Sequence, residues 1–143
     1  MKRINEALRL FKTECNCAQS VLLAFVEDLD INKETAKKVS SPFGGGIGRS
    51  GMICGAVSGA LMVLGIKYGD KLSKDNMYKQ TREFLNMFKQ EYGQIDCKLL
   101  TGFDLSIPEQ SAEAGKQNIA DNLCSNYIKK SVMMLERILT ELG

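Results

Sequence analysis

The sequence predicts an all-α protein, a single-domain compact bundle of about five main helices joined by short connecting helices. Apolar residues recur three and four positions apart in most segments, which is the period of a helix. No segment alternates apolar and polar residues in the way a half-buried strand does. The 143 residues, 44% of them hydrophobic and 25% charged, suit one domain, residues 1–143, that can bury a full core.

Helix boundaries follow from capping residues and from glycine. Asn16, Asn32 and Ser73 each precede an apolar-periodic run and can accept a hydrogen bond from the first free amides of a helix. Gly69 and Gly102 end the runs before them. The predicted helices are the first dozen residues, Cys17–Asp28, residues 32–39, a helix from near Cys54 to Tyr68, residues 73–92, a short turn at 97–101, a little helix after Pro108, and Leu123–Leu142, capped by Asp121 or Asn122.

The helix that begins near Cys54 is the element around which the chain is organised. Gly51, Gly55 and Gly59 are spaced four apart, which places small residues on one side of a helix. Another backbone can therefore approach closely there, within the core. The same face could also support a homodimer.

A glycine-rich loop precedes this helix. The run from Gly46 to Gly51 satisfies G-x-G-x-x-G, but no strand comes before it, so a dinucleotide fold is not indicated. The simplest interpretation is a tight connection between helices. The alternative is that the loop amides and the side chain of Arg49 hold an anion or the edge of a cofactor. The candidate cofactor-binding residues are Gly45, Gly46, Gly48 and Arg49.

Composition excludes several classes of function. There is no histidine, so Ser-His and Cys-His pairs, histidine-ligated zinc and histidine-ligated haem are absent. A net charge of +2 without a basic patch does not indicate nucleic-acid binding. The longest apolar stretch, Met52–Ile66, is shorter than the ~20 residues of a membrane span. The charged N-terminus lacks a signal-peptide pattern, so we expect a cytoplasmic protein.

The five cysteines are the residues most indicative of chemistry. Thiols are normally reduced in the cytoplasm, so metal binding or redox chemistry is a better explanation than a disulfide frame. Cys17, Cys54, Cys97 and Cys124 each stand at the start of a predicted helix. Free amides and the helix dipole there stabilise a thiolate, so we expect a lowered pKa, above all at Cys54.

Three functions are compatible with these cysteines. In the first, which we favour, Cys54 is a catalytic thiolate in thiol/disulfide exchange, with Cys17, Cys97 or Cys124 as the resolving thiol. In the second, the four cysteines bind an iron–sulfur cluster or another thiophilic metal, for electron transfer or sensing. In the third, the chain is a non-enzymatic helical interaction protein whose cysteines only pack. The redox partner is unknown in each case.

Several motifs, in order, resemble the C_GCAxxG_C_C family. They are N-C-A-Q at 16–19, F-G-G-G-I-G at 43–48, C-G-A-V-S-G at 54–59, a cysteine before Leu99-Leu100-Thr101-Gly102, and a late cysteine before the last helix. The family is described as redox-active proteins of about this length with four characteristic cysteines. The resemblance implies that these are Cys17, Cys54, Cys97 and Cys124, and that Cys15 is additional.

Overall fold

The chain folds into helices and turns without a strand, which confirms the predicted fold class. The structure, a computed structural model, describes all residues from Met1 to Gly143. No helix is both long enough and apolar enough to cross a membrane. The helices are α1 (Lys2–Thr13), α2 (Cys17–Leu23), α3 (Lys33–Ser40), α4 (Gly44–Ile47), α5 (Gly55–Tyr68), α6 (Lys74–Tyr92), α7 (Cys97–Thr101), α8 (Pro108–Lys116) and α9 (Ser125–Leu142).

Helix α5 lies at the centre of the bundle. It packs against α2, α6 and α9, and α1 closes the core from the side of α2 and α9. Because neighbours surround it, α5 buries apolar residues around its circumference. The largest fully buried side chains of the core include Leu10, Phe25, Leu64, Phe84, Phe88, Ile128 and Leu135.

The contact between α2 and α5 is the most extensive in the molecule, and glycine makes it possible. A Cβ atom at Gly59 would lie 2.5 Å from the carbonyl oxygen of Ala18. A Cβ atom at Gly55 would lie 2.9 Å from the carbonyl oxygen of Phe43 and would also clash with the sulfur of Cys17. The predicted close approach of a backbone to the small-residue face of α5 is therefore confirmed.

Capping residues set most helix starts as predicted. The Asn16 side chain accepts from the amide of Gln19, and the Gln19 side chain accepts from the amide of Asn16, both at 2.9 Å. Asn32 and Ser73 cap α3 and α6 in the same manner. The predicted end of the second helix at Asp28 is wrong. Helix α2 stops at Leu23 because the chain tightens into a 3-10 turn, which places Phe25 in the core.

The predicted cap of the last helix is also wrong. Helix α9 begins at Ser125 and is entered through a π-helical turn, Ala120–Cys124, so the chain has no break to cap there. Asn122 instead donates its side-chain amide to the carbonyl of Gln117 at 3.0 Å. Asp121 accepts a hydrogen bond from the side chain of Asn118.

The glycine-rich loop, which includes α4, is not a regular right-handed helix and folds into a left-handed turn. Five consecutive residues, Gly45 to Arg49, have φ between 60° and 69°. Glycine adopts this region freely, but Ile47 and Arg49 do so against the steric preference of L-residues. Amides of Gly51 and Met52 donate back to the carbonyls of Gly45 and Gly46, at 3.2 and 3.0 Å, and close the turn.

Candidate functional site: a four-cysteine cavity

Four of the five cysteines line one cavity of about 630 Å³. Cys17 is the first residue of α2, Cys54 directly precedes α5, Cys97 is the first residue of α7 and Cys124 directly precedes α9. Three helix starts and the π-helical turn before α9 therefore converge on one space, which we call the cysteine cavity. The predicted position of Cys124 at a helix start is wrong, because the backbone is already helical before it. All the thiols are free. Cys15 is buried in the core and does not line the cavity.

A short backbone pairing brings Cys54 and Cys97 onto facing segments. The amide of Cys54 donates to the carbonyl of Ile95 at 2.7 Å, and that of Cys97 donates to Met52 at 2.6 Å. The single antiparallel bridge between them joins Ile53 and Asp96.

This pairing places the two cysteines diagonally on one face of the bridge. Diagonal neighbours in an antiparallel pair have Cα atoms roughly 7–8 Å apart. A disulfide normally requires a Cα separation below about 7 Å. Cys54 and Cys97 therefore lie on facing segments of the cavity wall.

Backbone amides are directed at the sulfur of Cys17. They come from Gly45 in the left-handed turn, Ala18 in α2 and Gly55 in α5, and each lowers the pKa of this thiol. The left-handed turn and the starts of α2 and α5 thus meet around one sulfur atom. Amides of Ala56 and Val57 act in the same direction on Cys54.

The predicted lowering of the thiol pKa at Cys54 is nevertheless wrong. Burial raises its pKa far above the ordinary value, and the nearby Cys17 raises it further, because the amide contribution is smaller than the cost of a buried charge. Burial also raises the pKa of Cys17, that of Cys97 to about 11 and that of Cys124 to about 12. The cavity holds thiols that stay protonated at neutral pH when no cation is bound.

The four candidate residues of the glycine-rich loop take different positions. The amide of Gly45 faces Cys17, and its Cα lies against the side-chain stem of Arg49. Gly46 is buried against Cys97, where an added Cβ would lie 2.7 Å from the cysteine Cβ. Gly48 and Arg49 are exposed and line the mouth of the cavity. The loop is therefore both a tight connection and a wall of the cavity.

Tyr127 lines the cavity and was not predicted from the sequence. Its hydroxyl donates to the carbonyl of Leu100 at 2.7 Å, which ties α9 to the short helix that begins with Cys97. Its ring meets that of Tyr92 edge-on, with centroids 4.8 Å apart. The sequence offers one signal, since Tyr127 lies one helical turn after Cys124. The side chains contributed by residues 105–119 also went unpredicted, because they depend on where α8 packs.

The four cavity cysteines are the residues that could hold a bound metal group. No three of the cysteine, aspartate and glutamate side chains are placed so that one metal ion could take them as ligands. Iron–sulfur clusters take four cysteine thiolates and are tuned by hydrogen bonds to sulfur. The cavity offers four cysteines, and the amides near Cys17 lower the pKa of its thiol. Cys17, Cys54, Cys97 and Cys124 would hold such a group.

The cysteine pattern agrees with what is known of similar proteins. Residues 15–138 match the family described as "Putative redox-active protein (C_GCAxxG_C_C)". No curated protein and no solved structure matched the chain. Since the family match covers nearly the whole sequence, including all four cavity cysteines, the chain belongs to the C_GCAxxG_C_C family.

Proposed function

We propose that the cysteine cavity is the redox centre of this protein and that its four thiolates hold an iron–sulfur cluster for electron transfer or sensing. The observation that carries the proposal is that four cysteines from separate parts of the chain, three of them at helix starts, line a single cavity. Membership of a family described as redox-active also supports it. When bound, the cluster would supply one-electron chemistry.

Protonation favours a bound cluster over free thiolates. A free nucleophilic thiolate is scarce at neutral pH when the pKa of Cys97 is about 11 and that of Cys124 about 12. A thiol that coordinates a metal is deprotonated by it, and its proton leaves to solvent. The thiols of the cavity are therefore better suited to coordination than to direct attack on a disulfide.

The chain itself would contribute two further functions at this centre. The amides of Gly45, Ala18 and Gly55 would donate to the thiolate of Cys17 and stabilise the reduced, more negative state. The apolar wall residues, including Phe11, Leu100 and Ile119, would limit the access of water.

Thiol/disulfide chemistry is the second candidate, and the facing segments of Cys54 and Cys97 favour it. Formation of an S–S bond there would release two protons to solvent and two electrons to an external disulfide. The diagonal spacing requires the segments around Ile53 and Asp96 to shift before the bond can form.

Iron and sulfide analysis of anaerobically purified protein tests the first candidate. We expect visible absorption together with stoichiometric iron and acid-labile sulfide. Serine in place of Cys17, Cys54, Cys97 or Cys124 should abolish or strongly reduce these signals. The matched control is Cys15→Ser, which should retain them because Cys15 lies outside the cavity. A colourless protein that remains iron-free after reconstitution with iron and sulfide would refute the cluster. A loss of two mass units on oxidation, mapped to cavity cysteines, would then support the second candidate.

A further inference from the structure

We infer that the mouth of the cysteine cavity is a binding site for a small organic carboxylate with an apolar body, anchored by Arg49. The inference rests on the proposed function only for the redox centre beneath the ligand, not for the binding itself. The charge of the mouth, the position of Arg49 and the apolar lining of the cavity support the inference.

Arg49 supplies the charge at the mouth of the cavity. Among the residues that line the cavity, Arg49 is the single charged one, and no aspartate, glutamate or lysine accompanies it. Arg49 takes part in none of the ion pairs of the protein. An exposed guanidinium without a partner at the opening of a neutral cavity selects for an anion, and its planar fork matches a carboxylate.

The positions of Arg49 and Ser111 also suit a bound anion. Arg49 and Ser111 line both the cavity and a shallow groove beside it, so both stand where the two spaces join. Neither side chain has a hydrogen-bond partner within the chain. The backbone of Arg49 holds a φ of 65°, which costs energy for an L-residue, so the guanidinium is displayed there against local preference.

Apolar lining residues can cover the hydrocarbon part of such a ligand. Leu105, Ala114 and Ile119 contribute apolar surface to the cavity that Arg49 and Ser111 also line. A cavity of about 630 Å³ lies within the range that holds small organic molecules. An anion with a short hydrocarbon body therefore fits this site better than an inorganic oxyanion, because only the former covers the apolar wall.

Calorimetric titration of the anaerobically purified full chain with hexanoate at fixed ionic strength tests the inference. Hexanoate should bind at least roughly tenfold more tightly than acetate, because it buries more hydrocarbon. It should also bind at least roughly tenfold more tightly than hexan-1-ol, which lacks the charge. Inorganic phosphate that binds more tightly than hexanoate would overturn the assignment of ligand class.

Arg49→Gly is the sharpest variant, because glycine relieves the backbone strain while removing the guanidinium. We expect an unchanged or higher Tm together with at least a roughly tenfold loss of hexanoate affinity. Ser111→Ala should weaken binding about two- to fivefold through one lost hydrogen bond. The control is Lys98→Gln, because Lys98 is exposed, pairs with Asp104 and does not line the cavity. Unchanged hexanoate affinity in Arg49→Gly would overturn the inference. Equal losses of hexanoate affinity in Arg49→Gly and Lys98→Gln would also overturn it.

The iron content of the same samples separates this inference from the proposed function. Variants of Arg49 should retain their iron and visible absorption, since the four cysteines remain. Failure of hexanoate to bind an iron-loaded protein would refute the carboxylate site alone. Binding to a chain that takes up no iron would refute the cluster alone.

Discussion

The two halves of the cysteine cavity are built differently. Cys17 and Cys54 stand on α2 and α5, whose backbones touch along Gly55 and Gly59. Cys97 and Cys124 stand on a five-residue helix and a π-helical turn, and the neighbouring α8 makes few contacts with other elements. We call these the inner half and the outer half. Backbone packing between α2 and α5 holds the inner half, whereas Cys97 of the outer half is held by backbone hydrogen bonds between its short helix and residues Gly51 and Met52.

The largest expected effect comes from breaking the packing of the inner half with Gly59→Ala. A glycine to alanine change within a helix usually stabilises, but here the new methyl group would lie 2.5 Å from the carbonyl oxygen of Ala18. We expect the free energy of unfolding to fall by about 2–4 kcal/mol in denaturant titration. Gly65→Ala on the same helix meets no atom within 4 Å and should be neutral or stabilising. Equal effects of the two changes would show that α2 and α5 are not in close contact.

The rate of thiol alkylation in reduced, metal-free protein compares the reactivity of the cysteines in the two halves. Burial raises the pKa of Cys97 to about 11, so its thiolate fraction at pH 7 should be roughly a hundredfold or more below that of a free thiol. Its rate should rise roughly tenfold per pH unit and level off near pH 11, whereas the denatured chain levels off near pH 8.5.

Cys54 in the inner half should react more slowly still, because burial raises its pKa further. Peptide mapping by mass spectrometry would follow each cysteine separately. A rapid reaction of Cys54 that levels off below pH 8.5 would contradict the raised pKa and restore the nucleophilic role.

Gly46→Ala tests how the left-handed turn supports the outer half. Gly46 and Gly48 both have positive φ, so alanine is strained at either position by about 1 kcal/mol. Only at Gly46 would the methyl group meet Cys97 and the backbone of Met52, at 2.7 Å. We expect Gly46→Ala to be more destabilising than Gly48→Ala by about 2 kcal/mol and to lower iron content. Equal unfolding free energies and equal iron contents would count against a wall formed by this glycine.

The smallest effect concerns a single hydrogen bond of the outer half. Tyr127→Phe removes the donor to the carbonyl of Leu100 and keeps the ring. Thermal unfolding should report a loss of about 1 kcal/mol. Tyr92→Phe loses a longer, exposed hydrogen bond to Asn126 and should change stability by less than about half as much. A larger loss of stability from Tyr92→Phe than from Tyr127→Phe would mean that the hydrogen bond of Tyr92 matters more than that of Tyr127.

Local signals explain what could be predicted from the sequence. Asn16 and Ser73 are capping residues whose effect lies within one helical turn, and both caps are present. The role of Gly59 also follows from spacing along one helix. Helix-start placement also holds for Cys17, Cys54 and Cys97, although spacing along the chain does not reveal which helix ends face each other.

Tertiary effects explain what could not be predicted. The pKa of Cys54 depends on competition between amides one turn away and burial by the whole fold, and burial is the larger effect. The pairing of Ile53 with Asp96 is too short to leave an alternating pattern. Ile47 and Arg49 adopt a conformation that their side chains disfavour, so no local preference indicates it.

The turn from Gly45 to Arg49 is a short piece of helix of the opposite chirality to the rest of the protein. A residue of D-configuration therefore suits this stretch in the way that an L-residue suits α5. At Gly48, where φ is 60°, D-alanine introduced by chemical ligation would restrict the unfolded chain without straining the folded one. One wall of the cysteine cavity could thus be stiffened by introducing a single residue of D-configuration.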